Sequence, residues 1–244
     1  MKNALLYKIA PLFAVLVITA CDFFEMPVPA ADNVFSISGM NFFYEVTSSS
    51  AITITDYSGR SDVTIPSEIK GMPVTTIGSE AFSSNQLTNV TMPDSVVSIG
   101  NFAFYSNKLT GVTIPDGVVS IGTMAFARNK LICIDIPNSV THIGNNAFTG
   151  NELTGFTIPD RFISSGFLLF SENKLTGVTI PDGVTPIGYG MFLGNQLTSI
   201  TIEANVTLYD DTFGNGFEAA YNNGGKLAGT YTRPNTDSTT WERQ

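Results

Sequence analysis

The stretch Leu109–Phe126, LTGVTIPDGVVSIGTMAF, decides the fold, because close copies of it recur along the chain every 22 residues. Four residue types keep this spacing, in the columns Pro93, Pro115, Pro137, Pro159, Pro181; Phe82, Phe104, Phe126, Phe148, Phe170, Phe192; Asn85, Asn107, Asn129, Asn151, Asn173, Asn195; and Leu87, Leu109, Leu131, Leu153, Leu175, Leu197. A single coil of this length cannot bury its own apolar face, whereas stacked coils can. The period therefore indicates a solenoid.

Each position in the unit has a physical role. Val112 and Ile114 alternate with Thr113, which predicts a short strand with its apolar side chains inward. Pro115 ends that strand, because proline fixes φ and lacks an N–H. Gly122 is expected where the backbone needs either an unusual conformation or a close approach. The asparagines are expected to form a ladder that bonds to backbone groups lacking a strand partner.

The unit resembles the BspA-like leucine-rich repeats of bacterial surface proteins, over about residues 60 to 205. The resemblance implies a mainly β leucine-rich-repeat solenoid of about seven coils, with an adhesive role. Residues Phe42–Val46 and Ile52–Thr55 predict an N-terminal β-hairpin cap, and the aromatic tail from Gly216 predicts a C-terminal cap. The expected division is 34–60 for the hairpin cap, 61–215 for the repeats and 216–244 for the C-terminal cap.

The first 21 residues, MKNALLYKIAPLFAVLVITAC, have the features of an export signal. Lys2 and Lys8 are basic, and Ile9–Ala20 is an apolar run too short for a permanent membrane span. Ile18–Cys21 resembles the bacterial lipobox, which implies cleavage after residue 20 and lipid attachment to Cys21. The expected segments are a signal peptide, 1–20, and a lipidated N-terminus and tether, 21–33. A plain secretory peptide is the alternative.

The residue after the lipid site bears on localisation. In some Gram-negative bacteria an aspartate there, as at Asp22, keeps a lipoprotein in the inner membrane. We expect a chain that is lipid-anchored to the cell envelope, at the outer membrane and cell surface, with the inner membrane as the alternative. Membrane contact is expected through the N-terminal lipid only.

Charge and composition exclude several function classes. The formal net charge is −9, so the chain repels phosphate backbones and nucleic acid is not an expected partner. The sequence lacks a nucleophile elbow, a phosphate-binding glycine loop and paired His/Cys metal spacing. His142, the single histidine, is not expected to be catalytic. We therefore predict a protein that is not an enzyme and uses no cofactor, metal or small-molecule substrate.

A recurring polar column after the prolines raises the possibility of a calcium stack. The column comprises Asp94, Asp116, Asn138, Asp160 and Asp182. Calcium takes six to eight oxygen ligands, and one carboxylate per coil supplies too few. Turn capping by the side-chain oxygen is the favoured interpretation.

Two surfaces are candidates for a protein partner. The outer side of the predicted strands carries Thr91, Thr113, Thr157, Thr179 and Thr201 between small residues. This surface is flat and polar, and it lacks the Trp, Tyr and Arg anchors that dominate interface energies. Cys133 stands in its small-residue column and is expected to be half-buried. Since Cys21 is assigned to lipid, a disulfide between the two is excluded.

The second candidate surface is an apolar stripe in columns that are polar in other coils. Its members are Phe102, Tyr105, Met124, Phe167, Leu168 and Tyr189, with Leu193 nearby. If these side chains lie on one flank they form a contact surface, and ordinary filling between coils is the alternative. We predict an interaction and adhesion module at the bacterial cell surface that binds a host matrix protein or another bacterial surface protein. A periplasm-facing lipoprotein that scaffolds another envelope protein is the alternative function.

Overall fold

The computed structural model describes residues 33–47, 49–157, 166–180, 183, 186–209 and 211–244. Signal peptide, Cys21 and the tether as far as residue 32 lie outside these ranges. The strands are β1 (Val34–Ile37), β2 (Met40–Val46), β3 (Ile52–Ser58), β4 (Asp62–Thr64), β5 (Glu68–Ile69), β6 (Met72–Ile77), β7 (Asn89–Thr91), β8 (Ser98–Ile99), β9 (Ser120–Ile121), β10 (Cys133–Asp135), β11 (His142–Ile143), β12 (Gly155–Thr157), β13 (Gly177–Thr179), β14 (Ser199–Ile202), β15 (Gly229–Thr232) and β16 (Glu242–Arg243). The helix α1 spans Phe217–Asn223. No helix within the described ranges has the length and apolar character needed to span a bilayer.

The repeats form the coils of a β-solenoid, as predicted. We number the coils by their inward phenylalanine, so that coil 2 is residues 87–108, coil 3 is 109–130, coil 4 is 131–152, coil 5 is 153–174 and coil 6 is 175–196. On one face, β4 pairs in parallel with β7, β10 with β12, and β13 with β14. In coil 3 the corresponding segment, Gly111–Ile114, is not paired as a strand, so this sheet is interrupted there.

A second, more regular sheet joins the coils on another face. Strands β6, β8, β9 and β11 pair in parallel, so that Ile99 is in register with Ile121 and Ile121 with Ile143. Gly122 follows β9, and a Cβ built on it would lie 2.5 Å from the backbone N of Asn101. Glycine is therefore required at Gly122 for the close approach of two coils, and φ there is not positive.

A stack of phenylalanine rings fills the interior. Phe82, Phe104, Phe126, Phe148, Phe170, Phe192 and Phe213 form the column. Adjacent ring centroids are 5.1–5.9 Å apart, and the planes are inclined by 2–16°. The last of these rings follows after 21 residues rather than 22, and the stack nevertheless continues through it. The core is thus one continuous column of side chains that belongs to all coils.

Both ends of the stack are covered, as predicted. At the N-terminal end β2 and β3 form the expected antiparallel hairpin, β1 adds a third strand, and β3 pairs with β6 of the first coil. At the other end β14 is followed by antiparallel β15 and β16. Helix α1 and these strands bring together the rings of Phe217, Tyr221, Tyr231 and Trp241. These elements shield the strand edges and apolar surface that an open coil would expose.

Candidate functional site

The predicted apolar stripe lies on a turn with unusual backbone geometry. Each coil has two residues with positive φ, four positions apart. The first column comprises Glu80, Phe102, Met124, Asn146, Leu168 and Gly190, with φ of 54–62°; the second comprises Ser84, Ser106, Arg128, Gly150, Glu172 and Gly194, with φ of 55–75°. Large side chains are costly in this region, by about 1–2 kcal/mol each. Backbone hydrogen bonds between coils hold these residues in the positive-φ conformation; for example, the N–H of Phe102 donates to Thr123 O at 2.8 Å.

The structure places the stripe residues on this one edge, in two groups. Phe102, Tyr105 and Met124 belong to coils 2 and 3, whereas Phe167, Leu168 and Tyr189 belong to coils 5 and 6. Between the groups, coil 4 carries the polar residues Asn145, Asn146 and Thr149 in the equivalent columns. The stripe residues therefore share one edge of the solenoid, as their sequence columns indicate, but on that edge they form two separate apolar clusters.

The coil 5–6 cluster exposes two aromatic rings. Phe167 is 47% exposed and Tyr189 is 41% exposed, and they occupy the same column of neighbouring coils. Leu168 is half-buried, and its Cδ2 lies 2.6 Å from where a Cβ on Gly190 would stand. Leu168 thus packs against the next coil, while Phe167 and Tyr189 remain accessible. Packing between coils therefore describes Leu168, whereas Phe167 and Tyr189 stay candidates for contact with a partner.

The coil 2–3 cluster includes a residue that the sequence analysis missed. The rings of Phe102 and Tyr105 meet edge to face, with centroids 5.6 Å apart. The guanidinium of Arg128 lies over the Tyr105 ring, 5.8 Å from its centroid. Arg128 belongs to the second positive-φ column, in which no other described member is basic. The contrast with Ser84 and Ser106 is the signal that could have identified it from sequence.

The strand face with the outward threonines forms a shallow groove of about 810 Å³ around the interrupted sheet. It is lined by residues of coils 2, 3 and 4, and its charged members are Asp94, Asp116 and Asp135. Cys133 also lines the groove and is exposed. The expectation of a half-buried thiol is therefore wrong, because its column neighbours Gly111 and Gly155 have no side chain to cover it.

The remaining candidates do not assemble into a catalytic or metal site in the part of the chain that the structure describes. His142 is exposed on β11, and its Nδ1 lies 2.8 Å from Thr141 Oγ1. The ranges described contain no group of three His, Cys, Asp or Glu residues arranged to hold a metal. Asp160 and Asp182 of the acidic column lie outside those ranges.

A family model described as the BspA type leucine rich repeat region matches the chain in six copies, over residues 57–170 and 97–217. The chain belongs to the BspA-type leucine-rich-repeat family. Its 22-residue repeats are thus the coils of a BspA-type solenoid. This confirms the family and fold predicted from the 22-residue period, and it makes protein interaction the coarse functional class.

Three solved structures resemble this BspA-type chain. A leucine rich cell surface protein from Faecalibacterium prausnitzii is 26% identical, with a TM-score of 0.50; the match covers 69% of this chain and 54% of that one. A leucine-rich repeat protein from Bacteroides capillosus is 30% identical, with a TM-score of 0.42, over 51% of this chain and 100% of that one. The pneumococcal vaccine antigen PcpA shares the fold at 19% identity and a TM-score of 0.50, over 73% of this chain and 50% of that one. The chain thus spans about half the length of the first structure, and comparison with curated proteins gave no match.

Proposed function

We propose that this chain is a lipid-anchored interaction and adhesion module at the bacterial cell surface, with the stripe edge as its contact surface. The observation that carries the proposal is the pair of exposed rings, Phe167 and Tyr189, held on adjacent coils of a rigid stack. The similarity to a leucine rich cell surface protein supports the location. The partner is a host matrix protein or another bacterial surface protein.

The side chains on the stripe edge make that edge a better partner-binding surface than the threonine face. Interface energy is concentrated in Trp, Tyr and Arg anchors, and the edge presents Tyr105, Tyr189 and Arg128. The threonine face offers short polar side chains and a shallow groove. Backbone hydrogen bonds between coils fix the conformation of the edge in the free protein. The entropy cost of ordering this surface on binding is therefore small.

The test compares the two faces in one binding assay. The stripe variant is Phe102→Ala/Phe167→Ala/Tyr189→Ala, and the matched control is Thr91→Ala/Thr113→Ala/Thr179→Ala. Both are measured against immobilised matrix proteins and whole bacterial cells, with circular dichroism as the folding check. Each lost anchor costs about 1–2 kcal/mol, so the stripe variant should bind more than about tenfold more weakly while the control binds as the wild type.

Two outcomes would contradict the proposed surface. One is loss of binding in the threonine-face control with binding intact in the stripe variant. The other is loss of the folded spectrum in the stripe variant, which would assign Phe102, Phe167 and Tyr189 to packing between coils. Failure of the wild type to bind any member of the panel would count against the adhesive role itself.

Lipid anchoring is tested separately through the two cysteines. Cells that express the chain are labelled with radioactive palmitate, and the protein is recovered by precipitation. We expect label in the wild type and in Cys133→Ser, and none in Cys21→Ser, because the lipobox assigns the acyl chains to Cys21. Label that persists in Cys21→Ser would rule out this anchor.

A further inference from the structure

The described basic residues of coils 2 to 6 are concentrated on one edge of the coils, whereas Lys70 of the first repeat lies over the ring of Tyr44. Between residues 71 and 225, the Lys and Arg residues that the structure describes are Lys108, Arg128, Lys130 and Lys174. Arg128 lies in the second positive-φ column, and the three lysines stand two positions after that column, each next to a buried asparagine. The chain as a whole has a net charge of −9, so this edge is locally positive on an acidic protein.

Lys108 and Lys130 occupy the same place in consecutive coils. The backbone N–H of Lys108 donates to Leu87 O at 2.8 Å, and that of Lys130 donates to Leu109 O at 2.9 Å. Equivalent positions in neighbouring coils are separated by about 4.8 Å. The register of the solenoid thus places the two lysines at equivalent backbone positions, and the Nζ of Lys108 donates to Gln86 Oε1 of the preceding coil at 3.2 Å.

Further along the column that contains Lys108 and Lys130, the positive charge is neutralised. Glu152 follows Lys130 in the next coil, and it forms an ion pair with Lys174, with Nζ and Oε2 2.6 Å apart. In the described part of the chain, Lys108, Arg128 and Lys130 take part in no ion pair. We call these three residues the basic ridge. It is confined to coils 2 and 3.

Arg128 links the basic ridge to the aromatic cluster. Its guanidinium lies over the Tyr105 ring, which in turn contacts Phe102. Arg128 makes no side-chain hydrogen bond to any residue that the structure describes. A guanidinium positioned by a ring keeps its donors available for bidentate contact with a carboxylate.

Coils 2 and 3 contain two carboxylates, Asp94 and Asp116, and both line the groove on the threonine face. On the edge itself the next carboxylate along the stack is Glu152 of coil 4, whose pKa is lowered by Lys174 and, to a lesser extent, by Lys130. The surface therefore combines three positive charges with the partly exposed side chains of Phe102, Tyr105 and Met124.

We propose that the basic ridge and this cluster together bind a short acidic segment of a partner protein, with carboxylates on the ridge and apolar side chains against the rings. This names the partner class for the proposed function and rests on it. A protein segment is favoured over a glycan or nucleic acid because Arg128 already lies over a face of Tyr105 on which a sugar or base would stack. A long polyanion would also run past Glu152 and Glu172, whereas a short segment meets coils 2 and 3 only.

The experiment measures binding of a labelled synthetic peptide of alternating Glu and Leu to the full chain by fluorescence anisotropy. The ridge variant is Lys108→Gln/Arg128→Gln/Lys130→Gln. Its control, Arg60→Gln/Lys70→Gln/Lys226→Gln, changes the net charge equally at other places. We expect the ridge variant to bind about tenfold or more weakly, the control to bind as the wild type, and the wild-type affinity to fall with added salt. A Lys-Leu peptide should not bind.

Several results would overturn the inference. Equal weakening in both charge variants would show that net charge alone matters. Heparin or single-stranded DNA that displaces the peptide at much lower concentration would assign the basic ridge to a polyanion of another class. If the ridge variant still binds the panel partner of the stripe experiment while the stripe variant does not, the acidic-segment inference fails and the proposed function stands.

Discussion

At the scale of single residues, the asparagine ladder shows how one side chain connects neighbouring coils. Asn129 is 7% exposed; its Nδ2 donates to Phe126 O of its own coil at 3.1 Å and to Phe104 O of the preceding coil at 2.9 Å. Its Oδ1 accepts the N–H of Leu109 at 3.2 Å. The same pattern recurs at Asn107, Asn151, Asn173 and Asn195. The ladder thus satisfies backbone groups that have no strand partner.

Removing one member of this ladder should be costly. In Asn129→Ala the buried N–H of Leu109 loses its acceptor, and we expect a loss of about 2–3 kcal/mol in the free energy of unfolding. Urea denaturation gives the value. Asn85→Ala is the matched control, because Asn85 is half-buried and its side chain donates to Ser83 O alone among described residues. A loss as large in the control would mean that the ladder bonds do not set the stability.

The glycines of the coils offer a second test, because their surroundings differ. A Cβ on Gly122 would meet the backbone of Gly100 and Asn101 at 2.5 Å, whereas a Cβ on Gly111 would have no heavy atom within 4 Å. We expect Gly122→Ala to lower the free energy of unfolding by about 3 kcal/mol. Gly111→Ala should stay within about 0.5 kcal/mol of the wild type, also by urea denaturation. Equal effects would contradict the close approach seen at Gly122.

At the scale of elements, the C-terminal cap is attached through aromatic residues with polar ends. Tyr221 of α1 donates its hydroxyl proton to Glu203 O and accepts the N–H of Val206 at 3.1 Å. Burial raises the pKa of Tyr221 above its ordinary value of 10.0. In the N-terminal hairpin, burial likewise raises the pKa of Tyr57, whose hydroxyl donates to Arg60 O. Both phenols are therefore held in the neutral form when the chain is folded.

These raised pKa values predict a loss of stability in alkaline solution. The unfolded chain releases its phenol protons as pH rises through about 10, while the folded chain retains those of Tyr57 and Tyr221 to higher pH. The contribution of these groups to the free energy of unfolding should be independent of pH near neutrality and should be lost progressively above about pH 10. Urea denaturation at several pH values measures the slope, which Tyr57→Phe/Tyr221→Phe should reduce. A change of slope just as large in Tyr209→Phe, which alters an exposed tyrosine, would refute this origin.

At the scale of the whole molecule, periodic sequence predicts periodic structure well. The phenylalanine and leucine columns, the inward Val and Ile residues and the need for glycine at Gly122 all follow from the repeat, because stacked coils place equivalent residues in equivalent surroundings. The two end caps were also predicted, from aromatic and alternating segments that lie outside the period.

The parts that the sequence did not reveal are interactions between columns. The contact of Arg128 with Tyr105 joins residues 23 positions apart, and it lies at a positive-φ turn whose column has glycine only at Gly150 and Gly194 among the six members given above. The sequence likewise did not reveal the interruption of the sheet at Gly111–Ile114 or the exposure of Cys133. Positions in a repeat column give the order of residues along the stack but not the distances across it.

The central claim, an interaction module at the cell surface, is tested most directly by protease treatment of intact cells, followed by immunoblotting for the repeats and for a periplasmic marker. We predict that the repeat region is removed while the periplasmic marker survives, because an anchored solenoid on the outside is accessible to protease. Full protection of the repeats in intact cells, with digestion only after the outer membrane is opened, would contradict the claim and favour the periplasm-facing scaffold.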